Sequence, residues 1–143
     1  MDLGNFIIRK RKISSDVAKN FKIGYADQNL NIFEILKKNF SEKSIIESGI
    51  FYNDDKKKIY LDRFRNRLIF PINDISGNPI AIGGRSINDN GYYAKYINSP
   101  ETLFFKKGSL LYNLDKARKY SNKKDQIFLV EGYMDVVGLD RVG

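Results

Sequence analysis

The chain has 143 residues, 42% of them hydrophobic and 29% charged, which suits one domain or one and a half and excludes both a multi-domain machine and wholesale disorder. It contains neither Cys nor His, so disulfide frameworks, thiolate zinc sites, cysteine nucleophiles, Ser-His-Asp triads and His-ligated metals are excluded. A net charge of +8 points to a polyanionic partner, either nucleic acid or an acidic membrane face.

Any chemistry must therefore run on carboxylates, Lys, Arg, Tyr and hydroxyls, or on a metal held by oxygen. No apolar run approaches the length of a membrane span. The N-terminal basic run follows the apolar Phe6, Ile7 and Ile8, the reverse of a secretory signal. The cytoplasm is the expected compartment.

Ser14, Ser15 and Asp16 predict a capped short helix to about Phe21. Phe21, Ile23 and Tyr25 alternate as in a strand. Helical spacing begins at Asn29, and Ser41 caps a further helix that stops at Gly49. Residues 59–61 and 68–72 predict strands, residues 74–78 a turn, and residues 80–82 a partner strand. Gly83-Gly84 marks either a bulge or a close approach to the backbone. A loop at 88–91 and a strand over 92–97 complete an antiparallel meander. A helix is expected over 109–120. Residues 127–130 form a continuous apolar run, read as a strand buried on both faces, and residues 133–139 read as helical. That strand lacks parallel neighbours in this chain, so an exposed edge is also expected.

Between Lys56 and Lys107 the stretch carries +6 of the net charge. Arg63, Arg65 and Arg67 are spaced at period two, which in a strand puts them on one face. Phe64, Tyr96, Phe104 and Phe105 interleave with the cations, as aromatics do where bases stack beside a phosphate-tracking groove. A solvated face explains a charge run alone; three arginines beside an apolar strand favour nucleic acid. Glu131 ends the apolar run, Gly132 permits a sharp turn, and Asp135 falls on the first turn of the next helix. Such a pair suits Mg²⁺ binding or proton transfer. On spacing alone, a solvated strand end and a helix N-terminal charge are the better account of the two carboxylates.

Ile23-Gly24-Tyr25-Ala26, Asp62-Arg63-Phe64-Arg65-Asn66-Arg67 through Phe70-Pro71-Ile72, and Gly83-Gly84-Arg85 occur together with four later blocks. These are Lys95-Tyr96-Ile97-Asn98-Ser99-Pro100-Glu101-Thr102, Phe105-Lys106-Lys107-Gly108, Leu111-Tyr112 and Val130-Glu131-Gly132-Tyr133-Met134-Asp135-Val136-Val137. In order and spacing the set resembles the catalytic core of bacterial replicative DNA primases, the DnaG family.

The resemblance implies an α+β fold, with small helices and an antiparallel sheet over 1–121. This basic N-terminal subdomain of the core leads into the first strand and helix of a truncated α/β Toprim domain over 122–143. It implies a nucleotidyltransferase that copies single-stranded DNA into short RNA primers from ribonucleoside triphosphates, with Mg²⁺ or Mn²⁺. Glu131 matches the first acidic residue of the Toprim site, as metal ligand and catalytic acid–base. Asp135 matches its second carboxylate, and further acidic ligands are expected beyond this chain. Arg85, Lys95 and Lys107 match the basic cluster facing template and nucleotide, with Tyr96 and Asn98 in the same block. Arg63, Arg65 and Arg67 match a second basic block.

Zinc, the replicative helicase and the single-strand-binding protein are implied only through regions outside this chain, and no membrane partner is implied. Lys12 stands where the family usually has Gly, and Lys106 where it often has His. A fragment that binds template and is inactive alone is the expectation. The alternatives are a single-strand-binding module without catalysis and, less favoured, a Toprim nuclease or topoisomerase relative.

Overall fold

Local capping sets the first helices. The side chains of Ser14, Asn31 and Ser41 accept from the backbone N–H groups of Val17, Glu34 and Ser44, which satisfies donors that a helix start leaves free. They open α1 (Ser15–Asn20), α2 (Ile32–Leu36) and α3 (Glu42–Glu47). The structure is a computed structural model that describes residues 10, 12–88, 91–124 and 126–141. Apart from Lys10 and Lys12, the N-terminal basic run lies outside them, as do residues 89 and 90 of the expected 88–91 loop. Lys12 adopts φ 52°. Glycine enters this left-handed region freely and lysine does so with strain, so Lys12 carries a backbone cost.

The strands are β1 (Gly24–Ala26), β2 (Phe51–Asp54), β3 (Ile59–Asp62), β4 (Arg67–Asn73), β5 (Pro79–Ser86) and β6 (Tyr96–Asn98). Four of them form an antiparallel sheet in the order β1-β4-β5-β6, and β2 pairs with β3 in a separate hairpin. β2 was not foreseen. Lys56 and Lys57 belong to the β2–β3 turn, where their N–H groups donate to the Asp54 carboxylate.

The turn after β4 matches its prediction. The Asp74 carboxylate accepts from the N–H groups of Ser76 and Asn78 at 2.9 Å and from the Asn78 amide at 3.0 Å. These bonds, the Asn78 side chain foremost, hold its pKa below the usual carboxylate value. A depressed native pKa adds stability above the ordinary carboxylate pKa, and that stability is lost as pH falls through the lowered value. Asp74→Ala should therefore melt below the parent at neutral pH in circular dichroism. The gap should close on acidification below about pH 4; a gap independent of pH would show that the charge is not responsible.

β4 alternates, sending Leu68, Phe70 and Ile72 into the interior. Ile13, Phe21, Leu68, Phe70 and Val137 form the main buried cluster. Each full burial of a side chain of this size contributes about 1.5–3 kcal/mol. Val137 comes from α5 (Tyr133–Asp140), so this helix shares its core with the antiparallel sheet. A second cluster, Phe33, Ile45 and Phe51, fastens α2 and α3 to the hairpin. α4 (Leu114–Lys124) is shorter at its start than predicted. Lys116 ties it to the end of α1, donating to the Asn20 carbonyl at 2.6 Å and lying 4.7 Å above the Phe21 ring.

Residues 127–130 correct one expectation. They form no strand, and Phe128 and Leu129 are 76% and 77% exposed. A strand buried on both faces needs partners on both sides, and none pairs with this run among the described residues. With no strand formed there is no strand edge; what is exposed is the apolar side chains of Ile127, Phe128 and Leu129.

Candidate nucleic-acid interface

The register Gly83↔Asn98 and Arg85↔Tyr96 makes β6 the edge strand. Side chains alternate along a strand, so Tyr96 and Asn98 share a face with Gly83 and Arg85, and across β4 with Leu68 and Phe70. Tyr133, the first residue of α5, lies over that face. Its ring stacks on Phe70 at 5.2 Å and meets Tyr112 edge-on at 4.7 Å. Its hydroxyl donates to Asn98 Oδ1 at 2.7 Å. Burial, the chief cause, raises the pKa of Tyr133, against a smaller opposing effect of the Asn98 hydrogen bond. The hydroxyl therefore stays protonated and donating at neutral pH.

The glycine pair is explained by close approach, the second of its two predicted readings. A Cβ on Gly83 would stand 2.6 Å from Tyr133 Cζ; on Gly84 it would stand 2.6 Å from Phe64 Cδ1. Rings thus press on β5 from both faces. Gly132 also differs from expectation, because its φ of −136° is ordinary extended backbone. A Cβ there would approach Asp135 Oδ2 to 3.1 Å, which a small movement of that exposed carboxylate relieves.

The arginine triplet is not a strand face. Arg63 and Arg65 lie in the bend between β3 and β4, and only Arg67 is in a strand. Asn66 breaks the period by adopting φ 51° while its N–H donates to the Ala26 carbonyl at 2.8 Å. Arg63 Nε donates to the Gly49 carbonyl at 3.2 Å, joining the hairpin to α3. Arg65 is exposed and acts electrostatically on the half-buried Asp62, whose pKa burial raises and Arg65 lowers. Arg67 is buried and donates to the Ala94 carbonyl at 2.9 Å; burial lowers its pKa.

Arg85 is 1% exposed, with its guanidinium 5.8 Å from the Tyr96 ring centroid. Lys95 and Lys107 are exposed. Phe64 and Phe105 are core residues, not stacking aromatics, while Phe104 is exposed and Tyr96 partly so.

Lys107, whose N–H donates to Glu101, sits in a loop whose Phe105 belongs to a buried cluster with Ile72 and Ala81, and Tyr133 packs against that cluster. Ser99 in the preceding turn is structural, with its hydroxyl accepting from Ile82 N–H at 3.1 Å. Tyr133 therefore joins the strand that follows Lys95 to the loop that carries Lys107. Glu131 and Asp135, both exposed, flank this tyrosine and line one open hollow with Val130, Met134 and Leu139. Sequence reasoning named Tyr133 only as part of a motif. Its contact with Asn98 spans 35 residues, and no local pattern signals such a contact.

Hard carboxylate oxygens suit Mg²⁺ or Mn²⁺. Among the described residues no group of three or more acidic, His or Cys ligands gathers. No helix among them is long and apolar enough to cross a membrane.

Residues 4–118 match the family described as DNA primase catalytic core, N-terminal domain. The chain is similar to the DNA primase of Staphylococcus epidermidis, 38% identical over 138 residues that make up 95% of this chain and 23% of that protein. It thus spans about a quarter of that relative's length. It superposes on a DNA primase domain from Pseudomonas aeruginosa with TM-score 0.86 and 35% identity, covering 98% of this chain and 44% of that one. A DnaG primase catalytic domain bound to ssDNA superposes with TM-score 0.81 and 38% identity over 94% of this chain and 41% of that one.

Proposed function

We propose, since this chain belongs to the family of the DNA primase catalytic core, N-terminal domain, that it supplies the template-holding part of an enzyme that makes short RNA primers on single-stranded DNA. The observation that carries the reading is Tyr133, which clamps the Glu131–Asp135 turn onto the edge strand β6, where Tyr96 pairs with Arg85 of β5. Cations and carboxylates at one edge suit phosphoryl transfer between nucleotides, where phosphates need neutralising and a hydroxyl needs a proton acceptor.

Lys95 and Lys107 reach the polyanion from solvent. Arg85 adds a fixed positive field from below Tyr96, and Asn98 orients the clamp. Arg63 and Arg67 act by holding the backbone, which leaves Arg65 as the exposed cation of the second basic block. Glu131 accepts the proton of the attacking hydroxyl. Glu131 and Asp135 would hold one side of a Mg²⁺ or Mn²⁺ ion, which when bound offsets charge on the transferring phosphoryl group. The setting is the replication fork in the cytoplasm. Ribonucleoside triphosphates are the substrates, the Toprim remainder completes the metal site, and helicase and single-strand-binding protein engage through other regions.

The test is fluorescence anisotropy of a labelled single-stranded oligonucleotide across a salt series, without divalent ions. Each phosphate contact contributes about 0.7 to the log–log salt slope. Lys95→Ala/Lys107→Ala should lower that slope by about 1.4 and weaken binding to every sequence alike, whereas Lys12→Ala should change little. A Lys12→Ala loss as large as half that of the double variant would mean diffuse charge and no groove. The exposed lysines, and not Arg85, are the residues to change, because a buried arginine cannot be removed without disturbing the fold.

A further inference from the structure

We propose that Tyr92 and Tyr93, in the connection between β5 and β6, form a stacking platform for unpaired bases of single-stranded nucleic acid. The proposal rests on the reading above that the β6 edge holds a single strand, and it adds a contact made to bases, where the lysines contact phosphates.

The two rings are 85% and 59% exposed, while Phe70, the one aromatic side chain of β4, is buried. Their centroids lie 5.5 Å apart with planes at 72°, so each ring supports the other edge-on and a broad π-face stays presented. Such faces bind any base, because every base has one. The foot of the connection is fixed. Arg67 Nη1 donates to the Ala94 carbonyl at 2.9 Å, and Ser86 N–H donates to the Lys95 carbonyl at 2.9 Å. Ser86 Oγ donates to the Asn88 carbonyl at 3.0 Å. Arg67 and Ser86 are both buried, so the rings stand on an anchored base and less ordering remains to be met on binding.

The order along the chain is ring, ring, Ala94, Lys95, Tyr96. Aromatic groups and a cation thus occur within five positions, as a strand of alternating bases and phosphates requires. Duplex DNA already stacks its bases internally, so the platform favours single strands.

The experiment crosses removal of the rings with removal of the bases. Anisotropy is measured for the full chain, Tyr92→Ala/Tyr93→Ala and Tyr92→Phe/Tyr93→Phe. The two probes are labelled oligonucleotides of equal phosphate number, one ordinary and one with a central abasic stretch. The parent and the Phe variant should bind the ordinary strand about tenfold more tightly than the abasic one, given the usual strength of base–aromatic stacking. The Ala variant should bind both alike, at the parent's abasic affinity and with the parent's salt slope. An Ala variant that still discriminates tenfold overturns the platform and leaves the phosphate reading standing. Absence of salt-dependent binding by the folded parent overturns both.

Discussion

Glu131→Gln should lower primer synthesis at least about 100-fold in a primase core carrying this chain, because general acid–base groups contribute about 10²–10⁴. Glutamine keeps the shape and removes both the charge and the proton acceptor. Glu131 is exposed and precedes α5, so thermal stability and single-strand binding should stay at parental levels. Asp135→Asn should behave differently. Asp135 lies in the first turn of α5, where an acidic charge also supports the helix by about 0.3–1 kcal/mol, so activity and melting temperature should fall together. Primer assays, melting curves and anisotropy on both variants separate the two roles. Undiminished synthesis by Glu131→Gln would end its assignment as the acid–base group.

How much of this was legible in the sequence depends on range. Ser14 and Ser41 announce helices through bonds to residues three positions away, and Asp74 makes its turn within four. Such signals survive without tertiary information. β2 escaped because Phe51-Tyr52-Asn53-Asp54 is short and half polar, and it becomes a strand only by pairing with β3. The arginine spacing misled for a related reason. Period two places side chains on one face only while the chain stays extended, and the left-handed Asn66 ends that extension. Composition marked the basic stretch only as a region. It could not separate the exposed Lys95 from the buried Arg67 and Arg85, because burial is decided by Phe64, Tyr96 and the sheet around them. Spacing singled out the carboxylate pair and resemblance supplied its expected role, whereas its attachment to β6 through Tyr133 emerges only in three dimensions.

That attachment predicts the second large effect. Gly83→Ala sets a methyl group 2.6 Å from the Tyr133 ring, which is wedged between Phe70 and Tyr112 at 5.2 and 4.7 Å and has little room to retreat. Overpacking of this kind costs about 1–3 kcal/mol, read as a lower midpoint in urea at unchanged slope. Displacing the ring also pulls its hydroxyl from Asn98 and moves the carboxylate turn away from β6, so activity should fall further than stability explains. Tyr133→Phe removes only the hydroxyl and should cost about 0.5–1.5 kcal/mol. A double-mutant cycle isolates the clash. In a Tyr133→Ala background the space above Gly83 is vacated, so adding Gly83→Ala should cost almost nothing, and the coupling should approach the full penalty of the single variant. A Gly83→Ala cost that persists in that background would place the strain elsewhere in β5 and remove the reason for reading Tyr133 as the clamp between sheet and carboxylates.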